Sequence, residues 1–400
     1  MPENVRCLLF LSFILLFVYG IPSPNSILHP YSPLGSFSDP IKDLSAPVCN
    51  KYKCQESSQD YNSCSYFEQD ESTFYVKPCS DPSYSCSVLI DKLNYTCQLK
   101  TPTPTSFPGD KCSSIDDCYG GYSQSCTNGI CIGRKIGDAC TSSYQCSPNS
   151  TCREINGNLQ CAPLLEIGET GCSQEFDCVY NAGCNFTSSS NVCVAYGSLS
   201  PGTEILVKTC NLSENLCSSH TCLQRAAGDE TAVCTGEVSS NAQIPIACNS
   251  PQTYTNQCIS KLDNYTNWET SSVCSCGYNS DGNAYCDLLP GDAPMQAYYR
   301  ELKKWQESSA IKNCNTIWRY PMYNGLNLQC AENNYEKSSY ESFFYWFLYT
   351  TLYVEVYEAE DCVLKTFYPV YYSMKNSNGG DNDDSAREIA LASLLLLFSN

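Results

Sequence analysis

The density of cysteine constrains this chain more than any other feature of its sequence. Twenty-seven of its 31 cysteines lie within the 238 residues from Cys49 to Cys286, about 11% of that stretch, which exceeds the roughly 8–10% typical of disulfide scaffolds. Only 16% of all residues are charged. The pattern favours a string of small disulfide-bonded modules over two or three ordinary hydrophobic domains.

The N-terminus predicts passage through the secretory pathway. Residues 1–20 have the layout of a signal peptide, because Arg6 precedes an uncharged apolar run from Cys7 to Val18 that is short for a membrane span. An uncleaved signal anchor is the alternative. Cleavage after Gly20 removes Cys7 and leaves 30 cysteines, an even number that allows complete pairing.

Residues 376–400 predict a glycosylphosphatidylinositol (GPI) attachment signal. The attachment candidates Asn378 and Gly379 precede a polar spacer, Asp381–Glu388, and an apolar tail, Ile389–Phe398. As a helix this tail would reach only about 15 Å, half of the hydrocarbon core of a bilayer. The predicted location is therefore the outer face of the plasma membrane, and a plain secreted tail is the alternative.

Cysteine spacing and composition divide the rest of the chain into modules and linkers. We predict a flexible spacer at 21–48, a six-cysteine module at 49–97, a Pro/Thr linker at 98–111, four four-cysteine repeats at 112–234, a linker at 235–247 and an eight-cysteine Tyr-rich domain at 248–375. The predicted fold class is a tandem of small disulfide-rich modules, irregular or built on short β-hairpins. A C-terminal disulfide-linked domain with at least one α-helix completes it.

The repeats are defined by the spacing of their cysteines. The first gap is Cys-x5-Cys in three of them, the second and third repeats share the pattern x5, x5, x8, and Cys210–Cys234 holds a looser fourth copy. Each repeat is too short to bury a core, so its bridges must stabilise it, and three pairings within it are open. The disulfide framework of the first three repeats comprises Cys112, Cys118, Cys126, Cys131, Cys140, Cys146, Cys152, Cys161, Cys172, Cys178, Cys184 and Cys193.

Parity makes a prediction about the last domain. The segment Cys248–Cys286 has five cysteines and the segment Cys314–Cys362 has three. If modules close on themselves, at least one bridge must join these two odd-numbered segments. The close pair Cys274 and Cys276 is expected to serve two separate disulfides.

Two stretches of the last domain predict regular structure. Asp292 can cap a helix that has Pro294 in its first turn, with one apolar face and with Arg300, Lys303 and Lys304 largely off it. The apolar face holds Met295, Tyr298, Leu302 and Trp305. The uncharged run Phe343–Val354 is compatible with helix or strand, although Tyr345, Tyr349, Tyr353 and Tyr357 recur at helical spacing. It is interpreted as the hydrophobic core, with an aromatic ligand groove as the alternative.

The repeats resemble a known class of module. The openings are Gly109-Asp110-Lys111-Cys112, Gly137-Asp138-Ala139-Cys140 and Gly168-Glu169-Thr170-Gly171-Cys172, with Asp117-Cys118 and Asp177-Cys178 before the second cysteine. Over residues 112–234 they resemble the Dickkopf N-terminal cysteine-rich repeat and related EB-type modules. The resemblance implies small extracellular modules used in protein contacts, without catalysis. With the anchor signal, the periodic cysteines are also similar to those of GPI-anchored surface antigens of ciliated protozoa.

The sequence offers little catalytic or metal-binding chemistry. Of two histidines, His29 lies in the spacer and His220 is expected on a surface loop between cysteines, so no catalytic residue is predicted. No Cys-x2-Cys pair, phosphate loop or basic aromatic patch occurs, so we expect no metal site, cofactor or nucleic acid. Five N-glycosylation acceptors are predicted at Asn94, Asn149, Asn185, Asn211 and Asn264.

Together these features predict a non-enzymatic, glycosylated cell-surface protein for surface interaction, adhesion or coat formation. The repeats would form a stalk, and the partner would be an extracellular protein or glycan whose identity the sequence does not give. A soluble secreted ligand or antagonist is the first alternative. An enzyme or protease inhibitor carried by the C-terminal domain is the second, and a broad hydrolase screen of the purified ectodomain would identify the enzyme.

Overall fold

The structure of the chain is a computed structural model that describes residues 49–55, 63–68, 73–81, 84–88, 95–99, 106–187, 190–224, 228–240, 244–249, 258–261, 269–320 and 329–377. All cysteines within these ranges are paired, in fifteen disulfides. Short hairpins in small sheets are followed by helices near the C-terminus, which confirms the predicted fold class. The predicted signal peptide and the spacer to residue 48 lie outside the described residues.

The first module is a five-stranded sheet in the order β1-β3-β2-β5-β4. Its strands are β1 (Lys51–Cys54), β2 (Ser63–Glu68), β3 (Thr73–Val76), β4 (Tyr84–Val88) and β5 (Tyr95–Leu99). Only the β1–β3 pair is parallel. Two bridges, Cys64–Cys86 and Cys79–Cys97, close the sheet internally, and the other two cysteines of the module leave it.

The four predicted repeats share one fold. In each, the first cysteine pairs with the third and the second with the fourth. The third and fourth cysteines face each other across an antiparallel strand pair. The pairs are β6 (Ser125–Thr127) with β7 (Ile130–Ile132), β8 (Ser150–Ile155) with β9 (Asn158–Pro163), β10 (Ala182–Asn185) with β11 (Val192–Ala195), and β13 (Cys222–Gln224) with β14 (Thr231–Cys234).

A tight turn precedes the first cysteine of every repeat and explains the recurring Gly-Asp/Glu pair. The glycine has a positive φ that other residues rarely adopt, and its N–H donates to the carbonyl of the last cysteine of the same repeat. These glycines are Gly109, Gly137, Gly168 and Gly202, with φ of 99°, 93°, 90° and 86°. In the first three repeats the following carboxylate, for example Asp110, accepts the N–H three residues earlier, at 2.7–2.9 Å.

The acidic residue before the second cysteine also has a local role. A 3₁₀ turn precedes that cysteine in each repeat, at Ile115–Asp117, Ser143–Gln145, Glu175–Asp177 and Glu214–Leu216. Asp117 accepts the N–H groups of Ser113 and Ser114, and Asp177 those of Ser173 and Gln174. The motif that carries the resemblance is therefore a set of main-chain caps.

The fourth repeat is a full copy with one insertion. Its strands form a three-stranded sheet in the order β12-β14-β13, where β12 is Glu204–Leu206. Helix α1 (Val207–Ser213) follows β12 and carries Cys210, the first cysteine of the repeat. The inserted strand precedes Cys210, and the widest gap of this repeat lies between Cys222 on β13 and Cys234 on β14. The pairing is unchanged: Cys210–Cys222 and Cys217–Cys234.

The C-terminal region begins with small sheets and continues in helices. A three-stranded sheet, in the order β15-β19-β18, is closed by Cys248–Cys274 and Cys258–Cys286. The strands of this sheet are β15 (Ala247–Cys248), β18 (Cys274–Cys276) and β19 (Ala284–Cys286). The strands β16 (Ile259–Lys261) and β17 (Glu269–Ser271) form a separate antiparallel pair. The helices are α2 (Ala293–Glu307), α3 (Gln329–Asn334), α4 (Lys337–Thr351), α5 (Tyr353–Val356), α6 (Asp361–Phe367) and α7 (Pro369–Ser377).

Both stretches of this region that were predicted to have regular structure are helical. Helix α2 starts after Asp292 and has Pro294 in its first turn, and its predicted apolar face is buried or partly buried while its three basic residues are exposed, as predicted. The Asp292 carboxylate does not cap the helix: it accepts the N–H groups of Leu289 and Ser240. The run Phe343–Val354, for which helix and strand were both open, is helical in α4 and α5. Its tyrosines contact one another from turn to turn. No described helix is long and apolar enough to cross a membrane.

The bridge predicted from parity is wrong. Cys276 pairs with Cys49, and Cys362 pairs with Cys54, across 227 and 308 residues. Cys314 pairs with Cys330 inside its own segment. The two odd segments each take one partner from the first module, because that module does not close on itself. Cys274 and Cys276 do serve separate bridges, as expected.

The main hydrophobic core lies between the repeats and the C-terminal helices. Trp305, Trp318 and Phe343 are at most 1% exposed, and they cluster with Phe107 of the first repeat and Tyr180 of the third. The predicted stalk is therefore wrong: the repeats pack against the C-terminal region instead of standing apart from it. A single repeat of this size cannot bury such large side chains. The shared core therefore adds hydrophobic stabilisation to the stabilisation that the bridges provide.

Candidate functional site

The segment Ala310–Tyr320, which we call the docking segment, joins the C-terminal region to the second and third repeats. It contains two 3₁₀ turns, Ala310–Asn313 and Thr316–Arg319. Asn315 is fully buried, and its amide Nδ2 donates to main-chain carbonyls of the second repeat, at 2.8 Å to Cys146 O. Its Oδ1 accepts the Ile317 N–H and so caps the second turn.

Arg319 makes the equivalent contact with the third repeat. Its guanidinium is fully buried and donates to the carbonyls of Glu175, Cys178 and Ala182 at 2.8–2.9 Å, and to Thr316 O within the segment. Four carbonyl acceptors around one guanidinium satisfy nearly all of its donors. Arg319 therefore holds the 3₁₀ turn of the third repeat to the docking segment.

A buried carboxylate lies beside this guanidinium. Glu175 accepts the hydroxyls of Tyr196 and Tyr320 at 2.7 and 2.8 Å. Burial raises the pKa of Glu175, against the opposing effects of the Arg319 charge and the two hydroxyls. Burial likewise raises the pKa of both tyrosines, so they stay protonated and act as donors. All of these groups are engaged with one another, which is the arrangement of a structural network.

His220 is not the surface-loop histidine that the sequence predicted. Its ring stacks on Tyr299 of α2 with centroids 3.8 Å apart, and Nδ1 lies 3.2 Å from Asn215 Oδ1. Burial lowers the pKa of His220 to about 4, with a smaller contribution from the positive charge of Lys303. The neutral ring thus forms part of the junction between the fourth repeat and α2, because a positive φ of 55° turns it toward the helix.

A small cavity and several clusters of cysteine sulfurs occur among the described residues. A cavity lined by Ser240, Ile246, Leu289 and Asp292 has a volume of about 10 Å³, room for at most one water molecule. Sulfur atoms lie within 4.8 Å of one another in groups such as Cys140, Cys146 and Cys161. These sulfurs belong to disulfides, and metal binding requires thiolates.

The aromatic residues of α4 and α7 form a different kind of surface. Tyr345, Trp346 and Tyr349 are partly buried, and their ring centroids lie 5.5–6.0 Å apart. Tyr345 also stacks at 6.3 Å with Tyr371 of α7, which is itself buried, whereas Val370, the residue before it in the chain, is 53% exposed. We call these five residues the aromatic face.

The aromatic face combines apolar bodies with neutral polar tips. Burial raises the pKa of Tyr345, against a hydroxyl contact with Tyr371, and burial also raises the pKa of Tyr349. The hydroxyls therefore remain protonated at physiological pH. Tyr345 and Tyr349 also pack against a core cluster that contains Phe347 and Leu348, so the run serves as core, as interpreted from the sequence, while its tyrosines and Trp346 keep part of their surface exposed.

The predicted modification sites differ in their surroundings. Asn211 is exposed on α1 and Asn185 is partly buried, whereas exposed Asn149 donates through Nδ2 to Lys312 O at 2.8 Å. Asn94 and Asn264 lie outside the described residues, as do the predicted attachment residues Asn378 and Gly379.

The sequence located the cysteine framework but not the residues that organise it. The twelve cysteines predicted for the first three repeats all pair within their own repeats. Asn315, Trp318 and Arg319 were missed. Their only signal is a lone arginine in the otherwise uncharged stretch from Cys314 to Tyr320, which matches no motif.

No protein-family model matches this chain, and no curated protein or solved structure shows significant similarity to it.

Proposed function

We propose that this chain is a glycosylated cysteine-rich protein held on the outer face of the plasma membrane by a GPI anchor. There it takes part in surface interaction, adhesion or coat formation through contacts with an extracellular protein or glycan. The observation that carries the proposal is the pairing of every described cysteine, which requires an oxidising compartment. The signal at each end of the sequence supports the route and the anchor.

The surface chemistry supports an interaction role. The shared core and the two long bridges tie the described modules to one another, and a binding surface that is ordered before binding loses less entropy. The Dickkopf-like and EB-like spacing supports modules used in protein contacts. The formal charge of −19 opposes binding to anionic partners such as nucleic acid.

The anchor is tested on intact cells that express the full chain. Treatment with phosphatidylinositol-specific phospholipase C should release the surface-labelled protein into the medium. The matched control is the double variant Leu395→Arg/Leu396→Arg, which places two charges in the apolar tail and should remove the protein from the lipase-sensitive pool. Wild-type protein found only in the medium before treatment would replace the anchored reading by the soluble ligand or antagonist.

A further inference from the structure

We propose that the aromatic face rests on the lipid bilayer to which the protein is anchored. The proposal rests on the proposed function, since the anchor brings this surface to the membrane. It adds a second, non-covalent contact: Tyr345, Trp346, Tyr349 and Val370 lie at the level of the lipid headgroups.

The position of the predicted anchor is the first argument. Helix α7 ends at Ser377, and the predicted attachment residues are the next two in the chain. No peptide linker separates the folded helix from the anchor. The end of α7 and the residues packed against it are therefore the part of the protein nearest the lipid. Tyr371 stacks on Tyr345, which brings the aromatic face into this part.

The charge distribution is the second argument. The chain has 42 acidic and 23 basic residues, yet it has none of either between Ser342 and Val354 or between Thr366 and Met374. A surface that approaches headgroups gives up part of its hydration, which is costly for charged groups and much less so for neutral hydroxyls. The two uncharged stretches hold every residue of the aromatic face.

The residue types are the third argument. Tyrosine and tryptophan have an apolar body and a polar tip, and they are enriched where membranes meet water. Interfacial helices bury their apolar side by about 5–10 Å at the boundary between headgroups and acyl chains. Such a contact is weak by itself, and a covalent lipid raises its effective concentration. The covalent lipid and the contact of the aromatic face together would hold the domain in one orientation.

The experiment uses the mature chain, residues 21–378, with a C-terminal histidine tag bound to nickel-chelating lipid in phosphatidylcholine vesicles. This chain retains every described residue. Trp346 emission is obtained as the difference between wild type and Trp346→Phe, because this difference cancels the emission of the other three tryptophans, Trp268, Trp305 and Trp318. We expect a blue shift on tethering, and about twofold quenching by lipids brominated near the headgroups. Without vesicles, aqueous iodide should reach Trp346.

Two charge variants complete the design. Val370→Glu should reduce the lipid quenching of Trp346 to the background, because it places a carboxylate on the face. Ile136→Glu adds the same charge at a 61% exposed position of the second repeat and should leave the quenching unchanged. Circular dichroism and intact disulfides confirm folding, and if Val370→Glu fails to fold, the wild-type and Trp346→Phe difference still decides.

The outcomes separate this proposal from the anchor. A Trp346 difference spectrum that is the same with and without vesicles and is not quenched by brominated lipid would overturn the membrane contact while leaving lipase release unaffected. Failure of lipase release with Trp346 still quenched by lipid would overturn the anchor alone. Protection of Trp346 from iodide before vesicles are added would show that protein covers the face and would also overturn the contact.

Discussion

The bridges within the repeats join cysteines 12–17 residues apart, whereas the two that tie the first module to the C-terminal region span 227 and 308 residues. The first kind fixes a local loop that recurs four times. The second kind joins parts of the chain that have no common pattern. A similar division holds for side chains: some serve their own repeat, and their counterparts join a repeat to the C-terminal region. The contribution of an interaction that joins distant parts of the chain can therefore be measured against that of a local one.

The largest difference is expected between a long bridge and a local one. With Cys49–Cys276 intact, the Cys54–Cys362 bridge closes an effective loop of about 90 residues, so its loss should cost about 4–5 kcal/mol of unfolding free energy. The bridge Cys118–Cys131 closes 13 residues and should contribute about 3 kcal/mol. The measurement is urea unfolding of the double variants Cys54→Ser/Cys362→Ser and Cys118→Ser/Cys131→Ser. A larger loss for the local pair would reverse the comparison.

Local closure could be predicted from the sequence, and long-range closure could not. Constant spacing from repeat to repeat fixes loop lengths and predicted that each repeat closes on itself, although three pairings within it stayed open. The Gly-Asp/Glu turn at Asp110, which the structure adds, also depends only on neighbouring residues. Parity showed only that two segments needed an outside partner. The choice of Cys49 and Cys54 depends on where β1 lies, and its parallel pairing with β3 has no sequence signal.

For the aromatic face and for Arg319, too, the sequence carried local information but no signal of long-range contacts. The spacing of Tyr345 and Tyr349 was compatible with a helical face, because a periodicity of four residues is local information, but helix and strand both stayed open for this run. Whether the face is covered depends on how α7 folds back onto α4. The role of Arg319 was hidden for the same reason, since its acceptors are carbonyls about 140 residues away and a carbonyl leaves no mark on a sequence.

The second comparison sets Arg319 against Arg300. Arg319→Met should lower the free energy of unfolding by about 4 kcal/mol, because buried carbonyls lose their donor and Glu175 loses the neighbouring positive charge. Arg300→Met removes a largely exposed cation 3.8 Å from Glu301 and should change stability by less than about 0.5 kcal/mol. Denaturant unfolding of both variants measures the difference. Comparable losses would mean that the docking segment contributes little.

The third comparison uses the turn carboxylates. Burial raises the pKa of Asp110 to about 7, against the opposing effects of the Phe107 N–H and the nearby Trp318 indole N–H, whereas Asp138 is exposed in the same turn of the second repeat. A raised folded-state pKa destabilises the fold once the unfolded chain ionises. The penalty is therefore absent below about pH 4, grows as the pH rises, and is complete above about pH 7.

Asp110→Asn should remove this penalty. At pH 8 we expect the variant to gain about 2–3 kcal/mol over wild type, less than the full linkage effect because the new NH₂ group faces the Trp318 indole N–H. Near pH 4, where the ionisation penalty is absent, the variant should be less stable than wild type by the cost of that NH₂ contact. Asp138→Asn should follow wild type across the range. Unfolding midpoints between pH 4 and pH 8 test this, and parallel curves for the two variants would contradict the burial of Asp110.

The smallest effect is expected at the glycosylation acceptors, where Asn149 is compared with Asn211. Nδ2 of Asn149 donates to Lys312 O in the docking segment, and the next two residues of its acceptor motif are at most 1% exposed. A glycan at Asn149 would have to share the junction with the docking segment, whereas Asn211 is exposed on α1. We therefore expect high occupancy at Asn211 and low occupancy at Asn149, measured by mass spectrometry after glycosidase treatment in heavy-oxygen water.

The substitution Asn149→Gln should lower the free energy of unfolding by about 1 kcal/mol or less. Full occupancy at Asn149 in correctly bridged protein would show that the docking segment does not need this contact.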